Sequence, residues 1–300
     1  MRIGAIEAGG TKIVCGIGNE YGIIEDRIQF PTEQPEPTME KVIAYFQNKG
    51  VEAIGIGTFG PINLDLKSEQ FGHVTTTPKP GWSGYRFLPT LKKAFDVPFG
   101  WDTDVNAAAY GEVMWGAAQG LDSCVYYTIG TGIGVGVYSE GKIVHGLVHP
   151  EGGHLLIRRH KDDAFEGLCP YHGDCLEGMA AGPAIEARWN RKAIDLPIDH
   201  PSWQMEAFYI GQAITGVILM LSPKKVILGG GVMHQQQLFS MIREEVQRNL
   251  NGYVSSETIL TNIDAYIVPP SLGDNAGLCG ALALGLAAAM ENCTWPLTHN

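Results

Sequence analysis

At 300 residues and 45% hydrophobic content, the chain has length for two domains of ordinary size and ample material for large cores. A net charge of −11 argues against a nucleic-acid or anionic-membrane surface. It does not exclude ATP, whose site is built locally from backbone amides and a divalent cation. The opening MRIGAIEAGGTK lacks a signal-peptide plan, because its apolar run breaks at Glu7. Leu278 to Met290 is Gly- and Ala-rich and reads as too short to span a bilayer. Cys15, Cys124 and Cys279 lie in apolar segments, where a buried free thiol is the usual state; Cys293 has no assignment. The expectation is a soluble, cytoplasmic protein.

Ile3 to Gly18 reads as strand, turn, strand. In its turn, Gly9 and Gly10 allow close backbone approach, and Thr11 and Lys12 add a hydroxyl and a cation. That turn is either a plain hairpin or a phosphate loop. A third strand, Gly22 to Phe30, is followed by a Pro-rich loop at 31–37. Thr38 then caps a helix from Met39 to Asn48. Ala53 to Thr58 is a buried strand. Residues 62–90 read as loop, and Thr75 to Trp82 has the polar and aromatic mix of a carbohydrate lid or an ordered surface loop.

A short strand from Val97 to Asp102 leads into the strong helix former Ala107 to Ala118. Asp104 thus stands where a strand end meets a helix N-terminus, as a helix cap or as a catalytic carboxylate. Gly120 to Asp122 reads as a joint, after which the opening theme repeats. Cys124 to Ile129, the turn Gly130 to Gly132, Ile133 to Tyr138, and Lys142 to Gly146 answer to residues 3–30. This echo points to two homologous lobes, with Thr131 answering to Thr11. The lobes are expected at 1–119 and 120–283, with a return helix at about 284–300 rejoining the first. The glycines at 130, 132, 134 and 136 lead into strand residues and not a helix, so no dinucleotide fingerprint is present. Gly136 to Lys142 approximates a P-loop, but Ile143 occupies the required Ser/Thr position.

The stretch from His149 to Pro183 is dense in chemistry. Cys169, His172 and Cys175 stand three residues apart, with His154 upstream. Two thiolates and two neutral imidazoles make a charge-neutral, closed zinc site; the other readings are a disulfide between the cysteines, or unrelated surface residues. Glu151 and Glu177 flank these ligands, so the loop reads as a rigid sugar-binding wall. Gly182 and Pro183 open a helix through Trp189, and Trp203 to Leu221 is a long apolar helix. Val226 to Val232 is a strand running into Gly229, Gly230 and Gly231, where backbone can approach an adenosine or its phosphates, or simply turn. Ala265 to Val268 is the last strand, and Asp274 to Ala276 leads into the closing helix.

Taken together, these pieces resemble the ROK family of sugar kinases, and most closely its bacterial fructokinases. The resemblance is carried by Glu7 to Lys12, Thr103 to Ala108, Ile129 to Gly134, His149 to His154, Cys169 to Glu177 (CPYHGDCLE) and Leu228 to Val232, in this order across essentially the whole chain. It implies an α/β, two-lobed actin/hexokinase-like ATPase fold with duplicated ribonuclease H-like lobes. It implies Asp104 as catalytic base, and Thr103, Asp104, Glu151, His154 and Glu177 at the sugar. Gly9, Gly10, Thr11, Lys12, Thr131, Gly132, Pro183 and Gly229 to Gly231 would hold ATP, with Mg²⁺ as its counter-ion. Zinc would sit on His154, Cys169, His172 and Cys175.

Glu7 and Thr103 replace the wider family's Asp and Asn, and the metal-ligand stretch lacks the C-x-C-G-x2-G-C pattern of its glucokinases and repressors. The fructokinase branch shares these departures, which implies D-fructose, phosphorylated to fructose 6-phosphate, as acceptor. The alternatives are a mannose or glucose kinase and a non-catalytic sugar sensor, the latter disfavoured by Asp104. The family's repressors carry a helix-turn-helix before the first lobe, for which the turn at Glu7 leaves no room. A homodimer without nucleic-acid or membrane partners is expected.

Overall fold

In the computed structural model, which describes residues 1–294, the opening apolar residues form β1 (Ile3–Ala8), antiparallel to β2 (Lys12–Gly18). β3 (Ile24–Pro31) pairs antiparallel with β2. β4 (Ala53–Thr58) lies parallel to β1, and β5 (Phe99–Thr103) parallel to β4, giving the order β3-β2-β1-β4-β5. Parallel neighbours need crossovers. α1 (Pro35–Phe46) supplies one between β3 and β4, and α2 (Phe87–Ala94) another between β4 and β5.

α3 (Asp104–Trp115) leaves β5 directly, and the second sheet then repeats the plan of the first. β6 (Cys124–Ile129) runs antiparallel to β7 (Ile133–Ser139), with β8 (Lys142–Ile143) beyond. After α4 (Leu176–Ala180), α5 (Gly182–Trp189) and α6 (Ser202–Leu221), β9 (Val226–Gly229) joins β6 in parallel. Then come α7 (Gln237–Leu250), α8 (Glu257–Leu260), β10 (Ile267–Val268) parallel to β9, and α9 (Ala276–Thr294). Read as β8-β7-β6-β9-β10, the second sheet matches the first in order, and its β6–β7, β6–β9 and β9–β10 pairings have the sense of β1–β2, β1–β4 and β4–β5. Two such mixed sheets are the duplicated actin/hexokinase-like ATPase architecture, and the fold is α/β.

Several local expectations shift. α1 begins at Pro35, within the expected loop, because proline at the first helical turn loses no hydrogen bond there. Thr38 lies inside that helix, buried, and accepts the Glu33 amide at 3.1 Å. α2 and α7 carry no expectation. β8 is only two residues long, so 144–146 is not strand. Trp82 is no lid residue. It is fully buried, its ring within 6 Å of those of Phe59, Tyr85 and Phe87, and its Nε1 donates to the Glu33 carbonyl at 2.9 Å.

The chain divides into two compact units: residues 1–120 with 143–150 and 275 onward, and residues 121–142 with 151–274. Against the expected partition, 143–150 groups with the first unit, as does the closing helix from its start and not from about 284. The reason for the latter is packing. α9 lies against α3, β1 and β4 so closely that a Cβ on Gly55 would fall 1.8 Å from the Ala281 carbonyl oxygen. The last part of that expected helix, 295–300, and the side chain of Cys293 lie outside the described residues. α6 and α9 are both long and apolar enough to cross a membrane by length and composition, contrary to the reading of Leu278 to Met290. Each buries more than half of that length within the protein.

Candidate active site

The first unit holds the expected base and one phosphate turn. Thr103, in extended conformation, caps α3: its Oγ1 accepts the Asn106 amide at 3.2 Å. Asp104 is therefore the first residue of the helix and not its cap. Its Oδ1 accepts the Val105 amide at 2.9 Å. The protein packed around its carboxyl raises its pKa to about 6, the Val105 and Asp104 amides opposing, although the residue keeps some exposed surface. A carboxylate whose proton affinity approaches neutrality suits general-base work.

Asp102, two residues earlier, differs in kind. It is buried at 2% exposure, and its Oδ1 accepts the Thr103 amide at 2.7 Å and the Asn106 side-chain amide at 2.8 Å. Its Oδ2 lies 2.6 Å from His145 Nε2. The Asp102–His145 contact, with His149 nearby accepting the Ile62 amide, was not expected from the sequence. Two histidines four apart in the loop preceding Glu151 were the available signal.

The turn between β1 and β2 is held from beneath. The Gly9 amide donates to the Lys12 carbonyl at 2.9 Å, and Thr32 Oγ1 donates to the Gly9 carbonyl at 2.8 Å. Lys79 Nζ donates to the Gly10 carbonyl. Gly10, Thr11 and Lys12 are exposed. Glu7 lies against the start of α9, its carboxyl carbon 2.5 Å from where a Cβ on Gly277 would stand.

The second unit gathers the remaining residues expected at the phosphates. The turn after β6 closes through Gly130 N–H to the Gly132 carbonyl at 2.9 Å. The Gly182 amide, at the head of α5 beside Pro183, donates to the Gly130 carbonyl at 2.7 Å. Gly230 turns the chain out of β9 at φ 90°, and a Cβ there would meet Ile129 at 2.5 Å. Thr131, Gly132, Pro183 and Gly229 to Gly231 thus share one corner of the sheet, with exposed Thr131 at its tip.

Beside that corner stand the residues expected to form the sugar wall. Glu151 heads a 3-10 turn over Gly152–His154 that packs on β7. A Cβ on Gly153 would fall 1.8 Å from the Ile133 carbonyl oxygen, so only glycine allows this approach. Glu177, in the first turn of α4, accepts the Ile133 amide on Oε2 at 2.9 Å, while its Oε1 lies 4.0 Å from His154 Nε2. Thr103 and Asp104 belong to the first unit; Glu151, His154 and Glu177 to the second.

The cysteine–histidine group fits a tetrahedral metal. The ligand atoms of His154, Cys169, His172 and Cys175 all lie within 4.8 Å of one another. Cys169 Sγ is 3.6 Å from the Nδ1 atoms of both His154 and His172, and Cys175 Sγ is 3.5 Å from His154 Nδ1. Zinc–sulfur and zinc–nitrogen bonds of about 2.3 and 2.0–2.1 Å at the tetrahedral angle place S and N about 3.6 Å apart. Both cysteines are buried free thiols, which sets the disulfide aside. Burial pushes the Cys175 thiol up to about 11, with Cys169 adding to the effect, so Cys175 would ionise only against a cation. The loop is braced by the bridge between Leu156 and Cys175 and by the Arg159–Asp174 ion pair at 3.0 Å.

Comparison with known proteins places these features. The model of the ROK family matches residues 3–288. A Bacillus subtilis (strain 168) protein is 55% identical over 282 residues, 94% of each chain. The fructokinase of Pediococcus pentosaceus is 49% identical over 288 residues, 96% of this chain and 99% of its own. Among solved structures, a ROK family glucokinase from Streptomyces griseus, in complex with glucose and AMPPNP, superposes with a TM-score of 0.78 at 25% identity. That match covers 96% of this chain and all of the other.

Proposed function

Because the chain belongs to the ROK family, we propose as its reaction the ATP-dependent phosphorylation of D-fructose to fructose 6-phosphate. The observation that carries it is the 49% identity, nearly end to end, with a named fructokinase. The test is ATP consumption with fructose, mannose and glucose side by side. Fructose should give the highest kcat/KM, and a higher value for glucose or mannose would overturn the acceptor.

Phosphoryl transfer demands positioning and charge neutralisation more than covalent chemistry. Asp104 is proposed to accept the proton of the 6-hydroxyl as that oxygen attacks the γ-phosphorus of ATP. Its raised pKa supports this. Thr103, Glu151, His154 and Glu177 are assigned to the sugar hydroxyls. Gly9 to Lys12 and, in the second unit, Thr131, Gly132, Pro183 and Gly229 to Gly231 are assigned to the nucleotide. Mg²⁺, when bound with ATP, would supply charge neutralisation at the phosphates.

His154, Cys169, His172 and Cys175 would hold zinc, and four protein ligands leave it no open position, so its contribution is structural. His154 faces the thiols through Nδ1, which leaves Nε2 toward Glu177 for a sugar hydroxyl. We assign the enzyme to the cytoplasm as a homodimer. The exposed apolar side chains Leu156, Leu168 and Tyr171, on the cysteine–histidine loop, suit cover by a second copy. Light scattering would measure that mass directly.

A further inference from the structure

Residues 143–150 belong to the first unit although the chain on either side belongs to the second. Two histidines hold them there. His145 Nε2 lies 2.6 Å from Asp102 Oδ2, and His149 Nε2 accepts the Ile62 amide at 3.1 Å. Asp102 is buried, and its other oxygen grips the Thr103 amide and the Asn106 side chain, the residues on either side of the Asp104–Val105 step. A buried carboxylate is costly unless paired. Among the described hydrogen bonds and ion pairs of Asp102, that to His145 is the one that brings a group able to carry positive charge.

We propose that His145 is a positioning residue for the transfer: through Asp102 it locks the helical turn that carries Asp104, and with His149 it holds the segment leading into Glu151. This rests on the kinase reading and on Asp104 as base. The charged and titratable groups that bear on His145 are Asp102 on β5 and His149 four residues along its own segment. The Asp102 hydrogen bond raises the His145 pKa, burial opposing, whereas burial pushes His149 down. His149 accepts on Nε2 and so works as the neutral ring.

The sign follows. A raised histidine pKa means the ionic part of the His145–Asp102 contact is fully present at low pH and is lost as pH rises through the folded-state value, leaving a neutral hydrogen bond. The alkaline limb of kcat should therefore report His145.

The experiment compares wild type, His145→Ala and His145→Gln at saturating ATP and fructose across pH 5–10, with ¹⁵N-detected histidine titration alongside. His145→Ala should lower kcat about 10- to 100-fold, the scale of a small misplacement of the reacting group, with little change in KM for ATP. His145→Gln keeps a donor for Asp102 without the charge. It should hold kcat at the wild type's high-pH level and show no alkaline limb. The wild-type ring should titrate above the ordinary histidine value and fall toward it in Asp102→Asn. Should His145→Ala not fold, the Gln variant and the ring titration decide. An active wild type matched by His145→Ala in kcat and pH profile, an alkaline limb retained in His145→Gln, or a ring that titrates normally, overturns the positioning role alone. A wild type with no fructose-dependent ATP consumption overturns the kinase reading, and this role with it.

Discussion

Cys175 Sγ lies 3.5 Å from His154 Nδ1, the separation of two ligands on one tetrahedral zinc, although the residues are 21 apart in sequence. Elemental analysis of protein purified without added metal should therefore find one zinc per chain, and Cys175→Ser should lose it. Because the same histidine presents Nε2 toward Glu177, zinc loss should raise the KM for fructose and lower the Tm, with a smaller effect on the KM for ATP. Active, well-folded protein free of zinc would contradict this.

This site was legible because ligand chemistry restricts residue type and spacing together, and the run from Cys169 to Cys175 meets both restrictions. The strands were legible for a similar reason: β4 and β6 are apolar runs bounded by turn residues, and the Gly-rich repeat after Gly120 announced the second sheet. Asp102 was not separable from Asp104 in their roles by alternation, since both fall on one side of the strand. The helix start singles out Asp104 instead, with Asp102 as support for the loop; what Asp102 holds appears when His145, 43 residues away, meets it. Trp82 misled because exposed and buried tryptophans look alike in sequence, and its burial depends on Phe59 and Phe87 arriving from separate elements. α7 has a clear apolar face in Leu238, Phe239, Ile242 and Val246, a signal available in the sequence but not used.

Lys79 donates to the carbonyl of Gly10, at the tip of the turn assigned to ATP phosphates. A lysine held there would add positive charge next to bound phosphate. Lys79→Ala should raise the KM for ATP about 2- to 10-fold, the worth of one exposed charge-assisted hydrogen bond. The KM for fructose should change less. Equal changes in both would point to a general loss of structure instead.

Glu206 on α6 is fully buried, and neither of its carboxyl oxygens has a hydrogen-bond partner among the described residues. Arg188 lies 3.5 Å away but is nearer to Asp163, at 3.2 Å, which also takes the Tyr209 hydroxyl at 2.6 Å. One cation faces two acids. Burial raises the Glu206 pKa well above its ordinary value, more than Arg188 lowers it. The folded protein then keeps a proton that the unfolded chain releases above about pH 4.5, so this group costs stability increasingly as pH rises toward its folded value. Glu206→Gln, neutral at every pH, should fold normally and gain Tm over wild type progressively from pH 5 to 8. A gain that is flat or reversed with pH would refute the assignment.

Asp104 carries the same linkage at the proposed reacting centre. Its pKa stands at about 6 against an ordinary 3.8, a difference worth on the order of 2–3 kcal/mol. Because the folded value is raised, that stability is present below pH 4 and is lost as pH climbs to 6. Catalysis runs the other way, since a base must be deprotonated, so kcat/KM for fructose should fall on an acid limb near 6, the value of the free protein. Asp104→Asn separates the two. The amide oxygen can still accept from Val105, so the helix start is kept, but the base is gone. A general base contributes roughly 10²–10⁴-fold, and kcat should drop by that much while the KM for fructose changes little. At pH 7.5 the same variant should melt higher than wild type, because it no longer holds an ionised carboxylate in a site that disfavours one. Steady-state kinetics and thermal melts of one preparation test both halves. A variant that retains near-normal kcat removes Asp104 from the role of base. One that loses kcat and Tm together shows the damage to be structural.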